Sequence, residues 1–326
     1  MIQVSLQRPT EFNAEEIKLI LLFDNTQKMG YSKKFLECEK IEKVYGNLVF
    51  GETPADRALT YACFVMSIDG KIAFEDSHLG PLIARTNFLD PSGAKADYWI
   101  LNVLRGISDG IIIGSGTLVK ELDYRGRIFD TDIVNARIKA GMPIAPWKII
   151  VSNSGRRIPY EHRVFTDKEV PILINTSPEG FKNLEKEIIH PYVVIDYSDL
   201  STVRSQVENN KGKIAVIITG SNGISDGHVL FKVLKAMGIE RVLVEPPSYT
   251  HYLMGEGLLD EIFINTSAIF VGGKCASIGW NNEPFTSTNH PHAEVVSIHI
   301  HKSNFIYVRY KLRYGITNMA SPKKYL

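Results

Sequence analysis

From Thr60 onward, short apolar β-rich runs alternate with stretches whose apolar residues recur every three or four positions. That alternation restricts the chain to few folds. Thr60 to Met66 reads as a strand. Trp99, Ile100, Val103, Leu104 and Ile107 mark one face of a helix over 94–107. Asp109-Gly-Ile-Ile-Ile-Gly114 is too short for a helix and is bounded by glycine, so it reads as a buried strand. Apolar runs at 148–151, 170–174, 192–195, 213–219, 241–244 and 261–271 repeat this signature. Val229, Leu230, Val233, Leu234 and Met237 form a further helical face, closed by Gly238. Two alternating segments, 295–300 and 305–314, are joined by a short link and read as a hairpin. Strands and helices alternating through short connections predict an α/β fold: a mainly parallel sheet flanked by helices, here with an antiparallel C-terminal edge hairpin.

The first 55 residues read differently. Asn13 is a candidate N-cap, Glu15 and Glu16 suit a first turn, and Ile17, Ile20 and Leu21 are spaced as one helical face. The expectation is a largely helical extension over 1–55 packed on a single domain over 56–326. With 44% hydrophobic residues the chain carries enough apolar material for a sizeable core. Its 37 basic and 36 acidic residues leave a net charge of +1, which argues against general capture of nucleic acid. Cys38, Cys63 and Cys275 are isolated, so neither a disulfide framework nor a structural zinc site is expected. The opening residues, MIQVSLQRPTEFNAEE, lack the basic and apolar regions of a signal peptide, and no apolar run has membrane-spanning length. The expectation is a cytoplasmic protein with no membrane partner.

In open α/β sheets, ligands gather beyond the C-terminal strand ends. Gly114-Ser115-Gly116-Thr117 follows one strand there. It can cradle a phosphate at a helix start, or serve as a structural turn. Ser152-Asn-Ser154-Gly155-Arg156-Arg157 follows another. Its hydroxyls and guanidiniums suit a phosphate monoester such as the 2′-phosphate of NADP, or form a solvated turn. Thr176 and the Gly220-Ser221-Asn222-Gly223 loop add two more candidate cofactor contacts. Ser67, Asp69 and Lys71 lie within five positions after the first strand of the body. There Lys71 could polarise a sugar oxygen and Asp69 could relay a proton.

Ser67-Ile-Asp69-Gly-Lys71-Ile-Ala resembles the S-[LI]-D-G-K-I-A signature of the riboflavin-biosynthesis pyrimidine reductases, the RibD C-terminal domain family. Further blocks keep that family's order: Leu104-Arg105 through Gly114-Ser-Gly116-Thr117, Ile150-Val151-Ser-Asn-Ser-Gly155-Arg156, Gly238 through Glu245, Gly257 through Glu261, and Gly272-Gly273. The resemblance spans roughly 60–280. It implies a dihydrofolate-reductase-like fold, a homodimer, and NADPH-dependent reduction of the ribosyl group of 5-amino-6-(5-phosphoribosylamino)uracil or a related pyrimidine-ribose phosphate. Carried over, it makes Lys71, Asp69 and Glu245 catalytic, and Ser67, Arg125 and Arg127 substrate-binding. Gly114, Gly116, Thr117, Ser152 and Arg156 become cofactor-binding, and Ser115, Thr176, Gly220 and Ser221 join them from the position of their loops at strand ends.

Two departures stand out. The family continues its glutamate as Glu-Gly-Gly, whereas here Glu245 is followed by Pro246-Pro247, which lack backbone N–H groups. The family follows its threonine with D-x-P-x-L-x-x-R, whereas Thr117 is followed here by residues 118–127 with Arg125 and Arg127 at shifted spacing. These leave open a same-fold enzyme for another substrate, such as a pterin, or a nucleotide-binding relative without turnover. His292-Ala-Glu294 matches the H-x-E of zinc deaminases, but no cysteine follows Cys275 to complete such a site. No metal is expected. His290, His292, His299 and His301 read as a polar strand face, with 299 and 301 on the same side.

Overall fold

A computed structural model describes residues 12–315 apart from His78 and Lys168. The opening stretch that lacks signal-peptide features lies partly outside those residues, at 1–11, as does the tail from 316. Eleven strands form one sheet: β1 (Ile20–Asp24), β2 (Leu59–Ser67), β3 (Gly110–Gly114), β4 (Trp147–Val151), β5 (Ile172–Thr176), β6 (Tyr192–Val194), β7 (Ile214–Ile218), β8 (Arg241–Val244), β9 (Glu261–Ser267), β10 (His292–His301) and β11 (Phe305–Arg313). Their order is β1-β10-β11-β9-β2-β8-β3-β4-β5-β7-β6. Strands from β9 to β6 run parallel, and β11, β10 and β1 continue the sheet antiparallel. This is the α/β architecture expected. The central strands read as continuous apolar runs because both faces are covered: Ile111, Ile113, Ile150, Ile174 and Leu243 face one core, and Ile112, Ile149, Leu173 and Val244 face the other.

The first core lies under the long helix Pro91–Ile107, which starts at an N-cap, Asp90, whose carboxylate accepts from Gly93 N at 3.0 Å. Proline at the first helical position needs no hydrogen bond there. The second core lies under the helices Gly227–Ala236 and Pro247–Gly255. The Pro246-Pro247 pair opens the latter helix, with Pro247 in its first turn and the Pro246 carbonyl accepting from Thr250 N at 2.9 Å. Several element boundaries shift: the strand expected at 170–174 occupies 172–176, that expected at 261–271 ends at Ser267, that expected at 295–300 starts at His292, and the helix expected over 94–107 starts at Pro91.

The expected helical extension is corrected. Within 12–55 the single described α-helix is Glu39–Val44, and Ile20 and Leu21 belong to β1, which pairs with β10 at the sheet's edge. Asn13 caps only an isolated turn, through Glu15 N. Ile17 is fully buried whereas Ile20 and Leu21 are half exposed, so the three do not share a face. Backbone carbonyls of this segment meet donors from the main body: Tyr45 O meets His299 Nε2 at 2.9 Å, Glu16 O meets His301 Nε2 at 2.9 Å, and Val49 O meets Arg309 Nη1 at 2.7 Å. The two histidines do share a face, but a buried one. Burial drives the His299 ring down to about 4, so it packs neutral on Tyr45.

Candidate active site

The parallel strands end on one edge of the sheet, and their final residues set the site's frame. At the end of β2 the chain turns tightly: Ser67 N donates to Lys71 O and Lys71 N to Ser67 Oγ, both at 2.9 Å. Ser67 Oγ also donates to Asp69 Oδ1 at 2.6 Å. Val271 N and Gly272 N reach the same carboxylate at 3.1 and 2.7 Å. The Ser67 hydroxyl, then the Val271 N–H, hold the Asp69 carboxyl at about 2. Asp69 thereby fastens the loop after β9 to the turn after β2. Its geometry fits an ionised clamp better than a proton relay. Lys71 differs, because its ammonium meets no partner among the described residues.

Glu245 follows β8, next to β2. Arg105, from the long helix, holds it bidentately, with Nε to Oε1 at 2.8 Å and Nη2 to Oε2 at 3.1 Å. The Tyr124 hydroxyl donates to Oε2 at 2.7 Å. Burial alone would lower the Arg105 guanidinium's pKa, but Glu245 beside it more than compensates and the net shift is upward. Burial, then Glu245, pushes the Tyr124 phenol far up, so it stays a donor. The carboxylate is therefore fixed by three hydrogen bonds.

On the same face Asp97 accepts from Asn265 Nδ2 at 2.7 Å, beside Cys63 of β2. Burial raises Asp97 to about 7, with Asn265 opposing in part. The first-strand cluster had not pointed to it. A signal was present, since Asp97 precedes Ile100 by three positions and so lies on the helix's buried stripe. The sign of its effect follows from linkage. The folded state holds this proton above the carboxyl's ordinary range while the unfolded chain does not, so stability falls as pH rises toward 7. Asp97→Asn should flatten that slope, at most about 1.4 kcal/mol per pH unit in the wild type, in urea melts across pH. An unchanged slope would place the group elsewhere.

The expected cofactor residues divide. Gly114 packs against Pro246, and a Cβ at Gly116 would meet nothing within 4 Å, so this turn is open to a ligand. Arg156 and Arg157 are exposed after β4, Arg156 bonded to Asn183 at 3.1 Å. Ser152 is almost buried, its N–H on Asn175 O. Thr176 is fully buried with its hydroxyl on Asn153 O at 3.5 Å, so it holds the loop rather than lining an open surface. The Gly220 loop is a tight turn. Ser221 and Ile224 pair through both backbone bonds around Asn222 and Gly223, each at positive φ, in a hairpin turn whose Gly223 N–H donates to Glu179 Oε2 at 2.9 Å. Asn153 organises this region: its Oδ1 accepts from Ser225 N and Oγ at 3.0 and 2.7 Å, and its carbonyl from Ser177 Oγ at 3.0 Å. Gly155, at φ +63, lies so close to Gly180 that any Cβ would overlap the Gly180 carbonyl. Of the two candidate substrate arginines, Arg127 is already paired with Asp167 at 2.6 Å, whereas Arg125 is exposed with no partner among the described residues.

The family model of the RibD C-terminal domain matches residues 61–301. The chain belongs to that family. This places it among the oxidoreductases of the riboflavin-biosynthesis pyrimidine-reductase type. It is 26% identical, over 212 residues, to the 2,5-diamino-6-ribosylamino-4(3H)-pyrimidinone 5′-phosphate reductase of Methanothermobacter thermautotrophicus, covering 65% of this chain and 78% of that protein. Its fold is like that of a pyrimidine reductase-like protein from Corynebacterium diphtheriae, with a TM-score of 0.58 at 19% identity, covering 84% of this chain and 98% of that one. It is also like the riboflavin biosynthesis reductase Rib7 of Saccharomyces cerevisiae, with a TM-score of 0.51 at 13% identity, covering 81% and 93%. The RibD match begins after β1 and the whole segment 12–55. Among the described residues no group of three or more histidine, cysteine, aspartate or glutamate side chains could hold a metal, and no helix is long and apolar enough to cross a membrane.

Proposed function

We propose that this RibD-family protein reduces the ribosyl group of 5-amino-6-(5-phosphoribosylamino)uracil, or of a closely related pyrimidine-ribose phosphate, with NADPH as cofactor, working as a homodimer in the cytoplasm. The observation that carries the reading is a fixed carboxylate, Glu245, after β8 beside the open Gly114–Thr117 turn, with the neighbouring strand β2 ending in the turn that carries Lys71, whose ammonium has no partner among the described residues. The residues fit the cofactor: an open glycine turn for phosphate, and exposed guanidiniums at Arg156 and Arg157 for a 2′-phosphate. NADPH supplies the hydride when bound. Lys71 polarises or protonates the sugar oxygen. Glu245 accepts hydroxyl hydrogen bonds and fixes C1′. Asp69 holds the loop after β9 in place, and Arg125 reaches toward the substrate phosphate.

NADPH and NADH titrations of the purified protein test this first. Replacing both Arg156 and Arg157 by alanine should weaken NADPH about tenfold or more and leave NADH nearly unchanged, because only NADPH carries the charged group they would meet. Equal losses for both cofactors would show that these arginines do not read the 2′-phosphate. Absence of binding by either dinucleotide would sink the reductase reading for this chain.

A further inference from the structure

The proposed chemistry leaves Lys148 unused. This β4 lysine is 1% exposed, and its amine donates to the carbonyl of Gly126. A lysine is seldom buried so completely without an ion-pair partner. Its acceptor belongs to a strap, residues 121–127, that three buried side chains fasten by three carbonyls. His162 Nε2 meets Glu121 O at 3.0 Å, Lys148 meets Gly126 O, and Arg105 Nη1 meets Arg127 O at 3.1 Å. His162 Nδ1 accepts from Val164 N, which leaves Nε2 as the donor. Each fastening comes from a different part of the chain. Between them Tyr124 delivers its hydroxyl to Glu245. Gly126 stands at φ +53, where a Cβ would sit 3.2 Å from Lys148 Nζ and 2.9 Å from the Tyr124 oxygen, so the strap's nearest approach to the amine is made by a glycine.

We propose that Lys148 is a positioning residue: its buried amine seats the 121–127 strap, and with it the Tyr124–Glu245 contact, and taking up a proton loosens that seat. The charged groups around the amine are Arg105 from the long helix, Glu245 after β8, Asp167 after the helix Arg163–Thr166, and Arg127 on the strap itself. Burial, then Arg105, pulls the amine from 10.5 down to about 7, against Glu245 and Asp167. When the strap lifts and water reaches the amine, it regains its ordinary basicity. The lifted state therefore binds the proton more tightly. Lowering the pH from the ordinary lysine range toward about 7 favours lifting by up to about tenfold per unit, with no further change below that.

The consequence for turnover rests on the reading of Glu245 given above, but the strap can be followed without it. Hydrogen–deuterium exchange of the full chain reports the amides of 121–127, corrected for intrinsic rates and referred to the helix Gly227–Ala236 on the opposite face. From about pH 7 to about pH 9 the wild-type strap should gain protection relative to that helix by tenfold or more. Lys148→Met should abolish the pH dependence and, at the alkaline end, exchange the strap about tenfold faster for want of the donor. Lys148→Arg, charged throughout, should be equally flat. With NADPH and the pyrimidine substrate, kcat should follow the strap's pH profile in the wild type alone, while KM for NADPH stays put. A flat wild-type ratio overturns the proposal, as does a pH dependence that survives in Lys148→Met. If Lys148→Met does not fold, the wild-type ratio and Lys148→Arg still decide. An inactive wild type whose strap nevertheless tightens with pH would refute the assigned reaction and leave the strap standing.

Discussion

Lys71→Ala is expected to lower reductive turnover about 100-fold to 10,000-fold, the range that a positioned proton donor contributes. Stability should move by less than about 0.5 kcal/mol, because the ammonium has no partner among the described residues whose loss would be felt. The turn that carries it is held by backbone and by Ser67, not by the lysine side chain. NADPH affinity should likewise hold, since the expected cofactor contacts lie at the ends of β3, β4, β5 and β7 and Lys71 follows β2. Steady-state NADPH oxidation, a melting curve and a cofactor titration on the same preparation separate these effects. A loss that appears only in KM would make Lys71 a binding group. Unchanged turnover would remove it from the chemistry. Ser67→Ala gives the contrasting case. It removes the hydroxyl shared by Asp69 and the Lys71 N–H, so it should disturb the loop after β9 as well.

The central fold was legible because its strands are buried on both faces and bounded by glycine, so composition alone marks them. Ile111, Ile112 and Ile113 lose water on both sides and leave no ambiguity of face. β1 was not legible. Ile17, Ile20 and Leu21 imitate helical spacing. The contrary signal was the run Ile20-Leu-Leu-Phe23 ending at Asp24-Asn25, where Asp24 Oδ1 accepts from Thr26 N and turns the chain. Its pairing partner is more than 270 residues away, at Ile300. The same distance problem hid Asn153, which joins loops through Ser177 and Ser225, 24 and 72 residues further on. The Gly220 loop keeps two readings in the sequence for another reason. Glycines that open a phosphate cradle and glycines that close a two-residue hairpin look alike until the backbone bonds between Ser221 and Ile224 are seen. Motif matching covered Glu245 and the Arg105 that holds it, but not Tyr124, which lies where the sequence leaves the family pattern.

Arg105→Ala should destabilise the protein by about 3–5 kcal/mol, since it strands a carboxylate that the fold has already taken from water. The Arg105 side chain is 5% exposed and that of Glu245 15% exposed, so water cannot replace the two lost bonds. The variant also frees the Arg127 carbonyl and removes a cation 5.6 Å from the Tyr124 ring centroid. Glu245→Gln in the same background removes the stranded charge. The double variant should therefore recover part of the loss, giving a coupling of about 1–3 kcal/mol in a urea double-mutant cycle. Turnover should not recover with it, because the amide restores neither the carboxylate nor its alignment. A single variant costing under about 1 kcal/mol, or strictly additive losses, would mean that water enters the site freely and that Glu245 is not held by Arg105. Recovery of stability without recovery of activity would place one ion pair in two roles, as an anchor of the long helix to the sheet and as the fixed charge of the site.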